Sequence, residues 1–181
     1  IDGFNAGENI IIGARPSMGK TAFALNIARN VAGKGIPVLF FSLEMGKERL
    51  TDRLFCMEAN VWLKAFRRRM LGEEDQRKLS LAMESLSKLP IKIIDGSKNT
   101  SQIRSMISKY IKNNQKMIVF IDFLTLITDY PNLEDHRRYG AIAQNLQRMA
   151  IEFNIPIVTL AQLSRKVEER KDKRPVLSDL R

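Results

Sequence analysis

Short runs of Ile, Val, Leu and Phe, four to seven residues each, recur along this chain with amphipathic stretches between them. That alternation restricts the fold more than any other feature. The runs are Asn9–Ala14, Pro37–Ser42, Ile91–Ile94, Met117–Asp122 and Ile155–Ala161. They are too brief for helices and too continuously apolar for strands with one wet face, so they are expected to be strands covered on both sides. The stretches between them carry helical periodicity. Thr21–Ala32 places Ala24, Leu25, Ala28, Val31 and Ala32 on one side, and Gln102–Lys112 does the same with Ile103, Met106, Ile107 and Tyr110. Tyr139–Phe153 repeats Tyr139, Ile142, Ala143, Leu146, Met149, Ala150 and Phe153. Residues 47–89 read as all-helical, with Glu73, Glu74 and Asp75 supplying acids at a helix start. Strands joined by crossover helices make an α/β fold, a mainly parallel sheet flanked by helices. In such sheets ligands bind beyond the carboxyl ends of the strands.

The length of 181 residues fits one domain, expected to span residues 1–181. No run approaches the ~18 apolar residues of a membrane span. No secretory leader is visible, and a start without Met with an end at Arg181 reads as a fragment. A single cysteine, Cys56, excludes an internal disulfide framework and fits a reducing, cytoplasmic setting. Cys56 sits among Leu54, Phe55 and Met57 and is expected to be buried as a small apolar residue. His136 has no second His or Cys nearby and is expected in solvent. The net charge of +10 favours polyanions as partners.

At the end of the first run stands Ala14, Arg15, Pro16, Ser17, Met18, Gly19, Lys20, Thr21 and Ala22, leading straight into a helix. A tight loop turning its N–H groups inward, followed by the positive end of a helix, is a phosphate cradle. Gly19 allows close backbone approach to a phosphate. Lys20 brings positive charge to the terminal phosphates, and the Thr21 hydroxyl suits Mg²⁺. The usual pattern opens with Gly, where this chain has Ala14, a loss that is small if the φ of Ala14 is negative.

A cradle of this type needs an acid at the end of a neighbouring strand. Met117–Asp122 is an apolar run closed by Asp122, the expected Mg²⁺ ligand, acting through water. The second run continues through Ser42 and Leu43 to Glu44, the candidate general base for an attacking water, expected at a buried edge. Gln162, at the end of the fifth run, is placed to hydrogen-bond a terminal phosphate oxygen and sense its loss.

With these residues in view, the chain resembles the motor domain of bacterial replicative DnaB-type helicases, a RecA-like P-loop fold. The resemblance rests on residues 13–21, on Phe41–Met45, on Phe120–Asp122, on Ala161–Arg165, and on residues 169–175 and 178–181. It departs after the acid, where the family reads Asp-Tyr-Leu-Gln and this chain reads Asp122, Phe123, Leu124 and Thr125. The resemblance implies an ATP-driven ring, usually hexameric, that uses Mg²⁺, moves along single-stranded DNA and separates the duplex ahead, with a primase and a helicase loader as partners. By matching positions it implies Glu44 as catalytic glutamate and Gln162 as the link between nucleotide state and the DNA-facing loops. Arg181 falls in the loop that grips the DNA backbone.

Residues 164–181 hold seven basic and four acidic residues and are expected to form a mobile loop. Lining a ring channel, that stretch would contact phosphates through Lys173, Arg174 and Arg181. Aromatic residues are sparse there, so backbone grip is expected over base stacking. Arg67, Arg68 and Arg69 are expected to be a plain surface patch. The family's amino-terminal primase-contacting domain and its arginine finger are not found in this sequence, so the fragment is expected to bind ATP and to hydrolyse it poorly alone. A recombinase or clock-type ATPase, and a slowly hydrolysing loader or switch, share the fold and the phosphate chemistry. The run from Gln162 to Pro175 favours the helicase.

Overall fold

The computed structural model describes residues 3–111 and 116–163, together with 172 and 174. Five strands form one parallel sheet: β1 (Asn9–Ala14), β2 (Val38–Ser42), β3 (Ile91–Asp95), β4 (Ile118–Asp122) and β5 (Ile157–Gln162), in the order β1-β5-β4-β2-β3. The helices are α1 (Lys20–Ala32), α2 (Lys47–Ala59), α3 (Leu63–Arg67), α4 (Glu73–Ser87), α5 (Thr100–Ile111) and α6 (Asp135–Phe153), with a 3₁₀ turn at Leu124–Leu126. The expected alternation is therefore the observed one. The expected loop at 164–175 lies outside the described residues, apart from 172 and 174.

The period of two in a strand sorts the side chains onto two faces. Val38, Phe40, Ile118, Phe120, Val158 and Leu160 share one, packed against Ala24, Leu25, Ala28 and Ala32 of α1 and Leu50 of α2. Phe40 and Phe120 stack there with ring centroids 5.6 Å apart. Leu39, Phe41, Val119, Ile121 and Ile157 share the other face, against Ile103 and Ile107 of α5 and Ile142, Leu146 and Met149 of α6. Covering on both faces is why β2 and β4 are buried at every residue. A satellite cluster of Ala59, Val61, Leu79 and Ala82 packs α4 onto the end of α2.

Element ends depart from the sequence reading where a distant group sets them. Helix α5 begins at Thr100, before Gln102, because Asp129 accepts both the Thr100 N–H (2.6 Å) and its hydroxyl (2.9 Å). Helix α6 begins at Asp135, four residues before its apolar stripe, and Arg138 in that added turn donates to the Ile127 carbonyl at 2.6 Å. Strand β5 starts at Ile157 because the Ile155 N–H still closes the end of α6 on Ala150 O, and Pro156 has no N–H to give. Cys56 is buried, His136 is exposed beside Glu134, and Arg67, Arg68 and Arg69 are not part of the core, each as expected.

Phe120 is fully buried and stacked, whereas Ile151 on α6 is 62% exposed. Phe120→Ala should cost about 3–5 kcal/mol in urea unfolding, and Ile151→Ala should stay within about 0.5 kcal/mol.

Candidate nucleotide site

The same alternation that builds the α1 face also aims its last side chains. Asp95, Ser42 and Asp122 are register partners at the carboxyl ends of β3, β2 and β4, two residues beyond Ile93, Phe40 and Phe120. Ala14 and Gln162 pair in the same way at the ends of β1 and β5. The chain leaves β1 at Ala14 and turns back over this rim before entering α1. Within the loop Ser17 (φ 64°) and Gly19 (φ 84°) have left-handed backbones. Left-handed residues interspersed in a turn curl the peptide N–H groups toward one side and make an anion-binding concavity. Apart from its chain neighbours, no atom of the described residues lies within 4 Å of where a Gly19 Cβ would stand, so it is the positive φ that demands glycine. Ala14 is outside the left-handed region, as its side chain requires. Helix α1 starts at Lys20 with no side-chain cap, which leaves its first-turn N–H groups for a ligand.

Beneath the loop, the Thr21 hydroxyl donates to Asp122 Oδ2 at 2.6 Å. Lys20 Nζ stands 3.8 Å from Asp122 Oδ1 and 4.1 Å from the Phe123 ring centroid. Burial lowers the Lys20 ammonium from its usual pKa, with the Asp122 and Glu44 carboxylates pulling the other way.

Above, a cleft of about 290 Å³ is lined by Ala14, Arg15, Pro16, Ser17, Gly19, Lys20, Thr21, Glu44, Met45, Arg53 and Gln162. That is close to the ~300 Å³ at which small-molecule sites begin. The cleft thus unites residues from the first, second and fifth strand ends, whereas Asp122, expected at the same rim, does not line it and lies buried beneath. Two residues of the loop segment contribute no side chain to it: Met18 is 64% exposed, and Ala22 lies in a neighbouring hollow. Glu44 is exposed on the cleft rim, where the sequence reading expected a buried edge. It stands on a turn past the end of β2, beyond the reach of the sheet's covering helices. Arg174 is exposed and its N–H bonds Asp172, while Lys173 and Arg181 lie outside the described residues.

The sequence reading does not single out Arg53. It occupies the buried stripe of α2, three residues after Leu50 and four before Met57, where an apolar side chain is expected. That breach of pattern is the signal it left. Its Nε is buried without a hydrogen-bond partner among the described residues, and its side chain reaches the cleft. Asp122 Oδ1 is likewise buried and accepts no hydrogen bond. A carboxylate oxygen that accepts no hydrogen bond among the described residues, beside a threonine hydroxyl, fits Mg²⁺, which takes few protein oxygens and leaves its remaining positions to phosphate and water.

A parallel sheet with a cradle of this geometry at its carboxyl rim defines a P-loop nucleotide-binding domain. The DnaB-like helicase C-terminal domain family matches residues 1–181, and the chain belongs to that family. Over 183 residues it is 44% identical to the replicative DNA helicase DnaC of Bacillus subtilis, and 42% identical to the replicative DNA helicase DnaB of Geobacillus stearothermophilus. In both comparisons the match covers 99% of this chain and 40% of the relative, so the chain spans less than half of each. Among solved structures, a DnaB-like replicative helicase described with its primase interactions superposes with a TM-score of 0.93 at 37% identity, covering 99% of this chain and 44% of that one. A second solved structure, an ATPase domain, gives 0.91 at 38% identity, covering 97% of this chain and 64% of that one.

Removing the Thr21 hydroxyl strands the buried Asp122 carboxylate. Thr21→Ala should lower stability by about 1.5–3 kcal/mol in urea unfolding, whereas Thr21→Ser should recover most of it.

Proposed function

We propose that this chain is the ATP-hydrolysing motor domain of a replicative DNA helicase that translocates on single-stranded DNA and unwinds duplex at the replication fork. The observation that carries the reading is the convergence of Lys20, Thr21, Glu44, Arg53 and Gln162 on one cleft, with Asp122 bonded beneath it. The family match supports the output as unwinding, over a recombinase filament or a loader. In the intact protein the domain works as a homo-hexamer in the cytoplasm, with primase and a loader as partners.

Each residue has a task that its position allows. The loop from Ala14 to Ala22 binds the triphosphate, chiefly by backbone N–H groups, with Lys20 and Arg53 adding charge where it accumulates. Thr21 and Asp122 would hold Mg²⁺, which would draw charge from the terminal phosphates. Glu44, exposed to the cleft, accepts a proton from the attacking water. Gln162 shares its register with Ala14 at the cradle's edge, so a change at the terminal phosphate is felt at the end of β5, where the chain continues into residues 164–181. Lys173, Arg174 and Arg181 in that continuation grip the DNA backbone.

In the intact protein Glu44→Gln should leave ATP binding within about twofold and lower DNA-stimulated turnover by at least about a hundredfold. Full turnover in that variant would exclude Glu44 as the base. Arg181→Ala should weaken single-strand binding and reduce its salt slope by about one.

The lowered pKa of Lys20 sets a pH dependence. The phosphate-attracting form is the protonated one, present below the folded pKa and lost as pH rises through it. ATP affinity should therefore decline, as alkali is added, before an ordinary lysine would titrate. Titrating a fluorescent ATP analogue across that range checks this, and Lys20→Ala should abolish the decline along with most of the affinity.

A further inference from the structure

The turn that carries Glu44 is fastened at three points. The Leu43 N–H donates to the Asp122 carbonyl at 2.7 Å, so the turn is tied to the main chain of the residue read as the metal ligand. The Ser42 hydroxyl donates to the Met45 carbonyl at 2.6 Å, closing the turn across Leu43 and Glu44. The Lys47 N–H, at the start of α2, donates to Asp95 Oδ2 at 2.8 Å. Glu44 itself makes no hydrogen bond among the described residues and is exposed, so the direction of its carboxylate depends on the backbone that bears it.

Two of these fastenings use side chains whose chemistry has no other evident purpose. Ser42 is 1% exposed at the end of a strand otherwise made of Val, Leu and Phe, where an apolar residue would pack at less cost. Its hydroxyl spends its donor on the turn. Helix α2 begins after Gly46, which has no side chain with which to cap it. The cap comes from 48 residues further along the chain, on the neighbouring edge strand β3. A carboxylate at a helix N-terminus is favourable in itself, and the Lys47 N–H holds the Asp95 carboxyl below its usual pKa. Asp95, Ser42 and Asp122 are paired in register across β3, β2 and β4, so the rim of the sheet itself holds both ends of the turn.

We infer that Ser42 and Asp95 are positioning residues that set the reach of Glu44 into the nucleotide cleft. This rests on the reading of Glu44 as the base. A carboxylate on a flexible side chain is effective only if its anchor is fixed to within about 0.5 Å, and a misplacement near 1 Å can cost about a hundredfold. Loss of either fastening leaves the phosphate cradle untouched, since neither Ser42 nor Asp95 lines the cleft.

The test is a set of double-mutant cycles in the intact protein, read by single-turnover ATP hydrolysis with single-stranded DNA and by ATP-analogue binding. Ser42→Ala and Asp95→Ala should each lower the hydrolysis rate by about tenfold to a hundredfold, with nucleotide affinity changed less than about twofold. Asp95→Asn, which keeps an acceptor for the Lys47 N–H, should recover most of the rate. In a Glu44→Gln background, adding Ser42→Ala or Asp95→Ala should lower the residual rate no further, because there is no base left to misplace. The inference is overturned if the losses multiply in that background, if affinity falls in step with rate, or if Asp95→Asn is as slow as Asp95→Ala. Should Glu44→Gln alone hydrolyse ATP normally, the base assignment fails first and this inference with it, a result distinct from multiplying losses.

Discussion

One buried hydrogen bond, from the Thr21 hydroxyl to the Asp122 carboxylate, joins the two halves of the site across 101 residues of chain. Thr21 stands in the first turn of α1, just past the loop after β1, and Asp122 closes the central strand β4. Asp122 is 1% exposed, and a carboxylate so buried is tolerable only if its partners offset the lost hydration. Thr21 meets one oxygen, and Lys20 lies 3.8 Å from the other. The Asp122 carbonyl accepts the Leu43 N–H, so the loop after β1, the end of β4 and the turn that bears Glu44 share a single reference point. A small displacement of Asp122 would be felt at all three.

The cleft holds polar groups that a polyanion and its cation would satisfy. Lys20 is partly stripped of water, and Arg53 buries an Nε that has no hydrogen-bond partner among the described residues. Glu44 stands exposed on the rim, and the Asp122 carboxylate lies beneath with one oxygen bonded to the Thr21 hydroxyl and the other 3.8 Å from Lys20. A triphosphate would meet the Lys20 and Arg53 donors, and its metal would meet the unsatisfied Asp122 oxygen. The site is thus preorganised for its ligand at some cost to the folded protein alone, as active sites commonly are.

Strands β2, β4 and β5 were the most legible part of the sequence because burial on both faces writes itself as a nearly continuous run of Ile, Val, Leu and Phe. The edge strands β1 and β3, expected to be covered on both sides, leave Ile11 and Lys92 exposed because no strand flanks them outside. Helices α1, α5 and α6 were legible wherever an apolar stripe ran, and illegible at the starts of α5 and α6. Those starts depend on Asp129 and on the Ile127 carbonyl, which periodicity does not carry. The cradle was readable residue by residue, since loop, glycine, lysine and threonine are contiguous. Glu44 was correctly drawn to the rim and wrongly pictured as buried, because a turn beyond a strand end escapes the helices that cover the strand. Arg53 went unnoticed: a charged residue inside an apolar stripe reads as an imperfection until the fold shows what it faces.

By itself the amino-acid sequence determined the class of fold, the strand count, the phosphate loop and the acids worth suspecting. All of these are local patterns: short-range burial periods, and side chains needed within a few residues of one another. Only the tertiary structure decided which acid bonds Thr21, that Asp95 caps a helix 48 residues earlier, and that Arg53 opens onto the cleft. The reason is physical. Parallel pairing brings together strand ends far apart in the chain, and hydrogen bonds and desolvation act over a few ångströms in space whatever the separation in sequence.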